Sequence, residues 1–196
     1  MIVWGSCVAT WKRATDWLLP GLARNTHTDD MVVLLQGDRI ATVYNRILDV
    51  APDGAHVVLL HDDTELYDGA RDAILAAPGD VAGPIGAAGV ASLAWWDYDR
   101  KGTVGPKPAR RYGPVDVVDG LLIAFAPAAT GLRFDQAYPA FHGYDADICK
   151  QAAGKGLDVA TSFVPLWHHS TSGFGDYDAW KRADERWRAK WLPRRS

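Results

Sequence analysis

The sequence predicts an α/β fold, with a mostly parallel central sheet and helices on both of its faces. Three observations carry that prediction. Short apolar runs recur through the first half of the chain, segments of helical periodicity separate them, and no Pro- or Gly-rich linker divides the 196 residues. "IVWGSCVA" (Ile2–Ala9) is the first expected strand, and "WKRATDWLL" is a helix expected to stop at Pro20. Met31–Gln36 is a second buried strand. Ile40, Val43, Tyr44, Ile47 and Leu48 then fall at helical spacing. "HVVLL" is the third strand, and "DGARDAILAA" a helix.

The second half is less regular. "GPIGAAGVASLAWWDYD" is glycine-rich and then aromatic, and "DRKGTVGPKPARRYG" carries five basic residues among Gly and Pro and reads as a mobile loop. "VDVVDGLLIAFAP" is a strand pair or a strand broken at Asp119–Gly120. "GYDADICKQAAGKG" is a helix with a glycine C-cap near Gly156, "LDVATSFVP" a strand and "LWHHSTSGFGD" a polar loop. The basic C-terminal helix carries Trp180, Trp187 and Trp191, whose spacing of 7 and 4 sets them on one face. That face either meets an acceptor or a membrane surface, or packs onto the sheet.

Composition narrows the function classes. Apolar residues make up 48% and charged residues 23%, as in ordinary globular proteins, and a net charge of -3 gives no global attraction to nucleic acid or anionic lipid. No apolar run reaches the roughly 18–20 residues of a membrane span. The N-terminus lacks the features of a signal peptide. Cys7 and Cys149 lie in apolar contexts and read as reduced core thiols, which suits a cytoplasmic protein.

The third strand ends in His61, Asp62 and Asp63. In open α/β sheets ligands bind outside the carboxyl ends of the strands. Two acids there repel unless paired, and a divalent cation such as Mg²⁺ or Mn²⁺ holding a diphosphate removes that cost. The plainer reading is a solvated turn that caps the next helix. His168 and His169 follow a later strand and suit imidazole ligation, although adjacent histidines are often surface residues. Asp145 and Asp147 open a helix, where one could act as a general base or both could simply favour the helix N-terminus. Trp95 and Trp96 are core residues or a flat platform for a sugar or base.

Taken in order, "TVYNRILDVAPDGAHVVLLHDDTEL", "VDVVDGLLIAF" and "HGYDADICKQAAGKGLDVATSFVPLWHHSTS" resemble the motifs of a family 2 glycosyltransferase with the GT-A fold, from Ile2 to about Asp176. His61 stands in the first acid position of that family's Asp-x-Asp signature and Asp63 in the second. Tyr144–Asp145 stands where the family has Glu-Asp. The resemblance implies a single domain over 1–196: a nucleotide-sugar-binding half (1–80), an acceptor and catalytic half (81–176) and the C-terminal helix (177–196). It implies an inverting, metal-dependent hexosyl transfer from a nucleoside-diphosphate sugar, UDP-sugar first, to a hydroxyl on a glycan, lipid-linked glycan, protein or hydroxymethylated DNA base. Asp63, His168 and His61 are then the expected Mn²⁺ or Mg²⁺ ligands and Asp145 the base. Asp38, Asn45, Asp62, Asp63 and His169 are expected at the donor, and Trp95, Trp96, Asp119, Gly120 and Tyr144 at the acceptor. A haloacid-dehalogenase-type phosphohydrolase would carry its acid motif on the first strand, not the third. A sugar- or nucleotide-binding module without turnover is the remaining alternative.

Overall fold

The structure, a computed structural model, describes residues 1–97, 100–108, 111–170 and 176–192. Its strands are β1 (Ile2–Val8), β2 (Met31–Gln36), β3 (His56–His61), β4 (Thr64–Leu66), β5 (Val81–Gly83), β6 (Ile85–Ala87), β7 (Arg100–Gly102), β8 (Gly113–Pro114), β9 (Val117–Val118), β10 (Leu122–Phe125), β11 (Val159–Thr161) and β12 (Leu166–His168). Its helices are α1 (Trp11–Arg13), α2 (Leu19–Asn25), α3 (Ile40–Val50), α4 (Ala70–Leu75), α5 (Pro127–Thr130), α6 (Tyr144–Gly154) and α7 (Tyr177–Trp191).

The main sheet has seven strands in the order β2-β1-β3-β10-β5-β11-β8. β1, β2, β3, β5 and β11 run one way, and β10 and β8 run against them. Side chains alternate across the strands and so divide between two apolar layers. Val3, Cys7, Val57 and Leu59 join a cluster with α3, α6 and α7, while Ile2, Trp4, Val58 and Leu60 join one with α2 and α4. Every residue of β1 is buried, as expected of a strand covered on both faces.

Several sequence expectations need correction. The first helical stretch does not stop at Pro20: a π turn (Ala14–Leu18) links α1 to α2, and Pro20 lies in the first turn of α2, where a missing N–H is tolerated. The basic loop is partly strand, because β7 pairs with β6. Arg110 of that loop, Tyr98 and Asp99 of the aromatic segment, 171–175 and the tail 193–196 lie outside the described residues. Gly83 and Gly86 do not open onto free space: a Cβ there would lie 2.7 Å from the Leu122 carbonyl oxygen and 2.2 Å from that of Val117. These glycines serve close strand approach instead.

The C-terminal helix is core. Ala179, Ala183 and Trp187 form a buried seam, with Trp180 and Trp191 half-buried against the same cluster as α3 and α6. Asp147, fully buried, accepts hydrogen bonds from Trp191 Nε1 (2.8 Å), Tyr138 Oη (3.1 Å) and Gln151 Nε2 (2.8 Å), and pairs with Lys190 Nζ at 2.7 Å. Of the two readings of the tryptophan face, packing against the core is the one observed. Trp187→Ala should cost about 3–5 kcal/mol in urea unfolding, as for other buried large aromatics. A loss below about 1 kcal/mol would return the helix to the surface reading. Among the described residues no helix is long and apolar enough to cross a membrane.

Candidate metal centre

β3 lies beside β1 in parallel register, Cys7 opposite His61, so the segments that follow the two strands meet at one edge of the sheet. Asp62 turns back to that meeting point. Its Oδ2 accepts from the backbone N–H groups of Ala9 (2.8 Å) and Thr10 (3.0 Å), so this carboxylate fastens the β1–α1 connection. Its expected donor contact is thus replaced by a structural one. Asp63 points elsewhere: its Oδ1 lies 3.1 Å from His168 Nε2.

A short strand brings those two residues together. β4 begins immediately after Asp63 and pairs antiparallel with β12, which sets Thr64 opposite His168. The His169 N–H then donates to the Asp63 carbonyl at 2.8 Å. As a result, donor atoms of His61, Asp63 and His168 all lie within 4.8 Å of one another. The three expected ligands are brought together as one group.

The electrostatics fit a cation. Burial pushes the His61 imidazole down, and the neighbouring His168 charge adds to that, so His61 favours its neutral, ligating form. Burial alone would raise Asp63, but the His168 hydrogen bond and the charges of His168, His61 and Arg13 pull it below the usual carboxylate value. Burial, the largest single influence, likewise opposes a charge on His168, yet the Asp63 hydrogen bond and the charges of Asp63 and Asp119 together outweigh it and raise this histidine. Two imidazoles and one carboxylate suit a first-row transition ion better than a purely oxygen-seeking one.

Tyr144 was expected at the acceptor. It is buried instead, with its hydroxyl 2.7 Å from His61 Nε2. A ligating histidine is commonly oriented by a hydrogen bond at its other ring nitrogen, and Tyr144 is placed to provide it. Burial holds the phenol well above its usual value, so it stays protonated. Gly120 makes room: a Cβ there would lie 2.0 Å from the Tyr144 hydroxyl. Tyr144→Phe should weaken Mn²⁺ binding about 10–100-fold by calorimetry; unchanged affinity would show that this bond does not hold His61.

Asp145 follows at the start of α6. Its Oδ2 accepts from Gly120 N–H at 3.3 Å, and its Oδ1 from Ala146 N–H at 2.8 Å. Burial, and next the charge of Asp119, push the carboxyl up to about 7. Asp119 accepts from the Leu121 N–H at 3.0 Å, and its charge also raises His61 and His168. The β9–β10 break thus lies between the histidines and Asp145.

The side chains of most other expected site residues are committed to partners outside the three-residue group. His169 bonds Glu65 at 3.0 Å and stacks on Trp17, with ring centroids 4.6 Å apart, so it supports β12 rather than a nucleotide. The Asn45 side chain is spent on the Phe134 backbone, donating at 2.9 Å and accepting at 3.0 Å. Asp38 is exposed just beyond β2. Trp95 is buried, and Trp96 packs on Trp180 at 5.6 Å in a 3₁₀ turn (Trp95–Asp97), so neither forms an open platform. Sequence reasoning missed Arg13, whose Nη1 lies 3.7 Å from Asp63 and 3.9 Å from Asp62. A basic residue just past the first strand's carboxyl end was the available signal.

The sequence matches no protein-family model and no curated protein. Among solved structures it is similar in fold to a GT-A protein: GalNAc-T7, in a crystal structure with UDP, GalNAc and Mn²⁺. The TM-score is 0.58 at 11% identity, covering 85% of this chain and 43% of that one. The chain therefore has a GT-A-like fold and spans less than half the length of this neighbour.

Proposed function

We propose that this chain is a metal-dependent glycosyltransferase of the family 2 type, taking its sugar from a nucleoside diphosphate, UDP first. The observation that carries the reading is the convergence of His61, Asp63 and His168 donor atoms within 4.8 Å at the carboxyl end of β3. A neighbour of the same fold contains UDP, GalNAc and Mn²⁺, which supports the same ligand classes here. Asp63, His168 and His61 would hold the ion, and their nitrogen-rich set favours Mn²⁺ over Mg²⁺. When bound, such an ion supplies neutralisation of charge on a departing diphosphate.

The chain's own residues supply the rest. Tyr144 orients His61, and Asp62 fixes the β1–α1 connection. Asp145, with its raised carboxyl, takes the proton of the acceptor hydroxyl as that oxygen bonds to the sugar, which inverts the anomeric centre. The acceptor is a hydroxyl compound. The test is release of nucleoside diphosphate from a panel of sugar nucleotides with EDTA, Mg²⁺ or Mn²⁺, with the product anomer read by NMR. Mn²⁺-dependent release and an inverted product are expected. Binding without turnover across donors and acceptors would move the chain to the sugar-nucleotide-binding module, and a retained anomer would remove Asp145 as the base.

A further inference from the structure

Arg13 has no role in the proposed transfer, yet its guanidinium faces both acids at the end of β3. Its Nη1 lies 3.9 Å from Asp62 Oδ1 and 3.7 Å from Asp63 Oδ2. Both contacts are electrostatic pairs, longer than hydrogen bonds. Among the described residues the guanidinium makes no hydrogen bond of its own, and the side chain is 37% exposed. The acids have their nearest partners elsewhere: Asp62 on the Ala9 and Thr10 amides, Asp63 on His168. Arg13 therefore brings a planar fork of N–H donors, with none of them satisfied by the protein, to the rim of the metal centre. Asp62 also pins the Ala9–Thr10 backbone, from which Arg13 follows within one helical turn. Such a fork matches the oxygens of a phosphate or diphosphate, which it can grip at two points.

Resting on the transferase reading for its location, we infer that Arg13 is a diphosphate clamp. It pairs loosely with Asp62 and Asp63 in the ligand-free chain, and turns onto a diphosphate held at His61, Asp63 and His168. The pairing with the acids then serves two ends. It offsets their mutual repulsion before ligand arrives, and it stores the cation within reach of the incoming anion.

The test is calorimetric titration of the wild type, Arg13→Ala and Arg13→Lys with MnCl₂ alone, pyrophosphate plus Mn²⁺, and UDP plus Mn²⁺. Mn²⁺ alone should bind Arg13→Ala at least as tightly as wild type, because a cation beside the site is gone. Pyrophosphate and UDP should both weaken about tenfold or more in Arg13→Ala. Arg13→Lys should fall between, since an ammonium keeps charge without the fork. Equal diphosphate affinity in wild type and Arg13→Ala overturns the clamp. So does a parallel loss of Mn²⁺ and diphosphate, which would make Arg13 a support for the acids. A wild type that takes pyrophosphate but neither UDP nor the other nucleoside diphosphates of the donor panel, with the loss in Arg13→Ala, keeps the clamp and overturns the transferase reading. A wild type that binds neither overturns both.

Discussion

Asp63→Ala is expected to abolish both Mn²⁺ binding and transfer. The substitution removes the only carboxylate of the three-residue donor set and leaves His168 without the partner 3.1 Å away. Its effect on metal affinity should exceed the roughly 10–100-fold typical of an outer partner such as Tyr144. Asp62→Ala is the control. It deprives the Ala9 and Thr10 amides of their acceptor, so it should cost about 1–3 kcal/mol per amide in stability while Mn²⁺ affinity falls far less. An Asp63→Ala chain with wild-type Mn²⁺ dependence would remove the metal centre from this end of β3. The same pair sets a pH signature. Asp63 titrates lower in the folded chain, so its stabilising contribution is present above its unfolded value of 3.8 and is lost as pH falls. His168 titrates higher, so its contribution is full below 6.5 and is lost as pH rises through the folded value. The ligand-free chain should therefore gain most from this pair between about pH 4 and 6.5. Mn²⁺ affinity should instead increase as pH rises and His168 sheds its proton.

Asp145→Asn should lower kcat by about 10²–10⁴-fold with donor affinity little changed. The amide keeps the shape of the side chain and an acceptor for one of the two backbone N–H groups, Gly120 or Ala146, and removes the site that takes a proton. With the carboxyl at about 7, wild-type kcat/KM should rise with pH as the base form fills. A bound divalent ion nearby adds positive charge and moves that inflection to lower pH. The Asn variant should lack this limb. Asp147→Asn is the comparison: its carboxylate is committed to Tyr138, Gln151, Lys190 and Trp191, so its cost should be in stability. A rate loss under tenfold in Asp145→Asn, with Asp147→Asn folded and inactive, would transfer the role to Asp147.

Much of the first half was legible because its strands and helices are long enough to show as apolar runs or helical spacing. β1 and β3 are near-continuous apolar runs buried along their length, and α3 carries buried residues at helical spacing; β2, read as a buried strand, is a half-buried strand at the edge of the sheet. His61, Asp63 and His168 were legible as candidates, since acids and histidines next to strand ends are visible in one dimension. Their convergence was not, because β4 and β12 have three residues each and show no period. Nor could order along the chain reveal that β10 inserts between β3 and β5 and runs against both. Tyr144, Trp95 and Trp96 were misread for one reason. An aromatic residue beside charged neighbours looks like a contact surface until packing shows what covers it, and here α7 and His61 do.

The pairing of β4 with β12 also orders events in time. Asp63 and His168 are 105 residues apart, so bringing them together closes a very long loop, a step whose entropic cost no local contact repays in advance. The three-residue ribbon that performs the closure has little free energy of its own. The metal centre should accordingly mature after the β1–β2–β3 layer, once the last part of the chain has docked. An ion that binds only the closed state would add RT ln(1 + [L]/Kd) to the closure, about 2.7 kcal/mol at a hundredfold excess over Kd. Competence to hold a ligand and completion of folding are thus one event in this chain, and a nascent chain that ends before residue 168 would have neither.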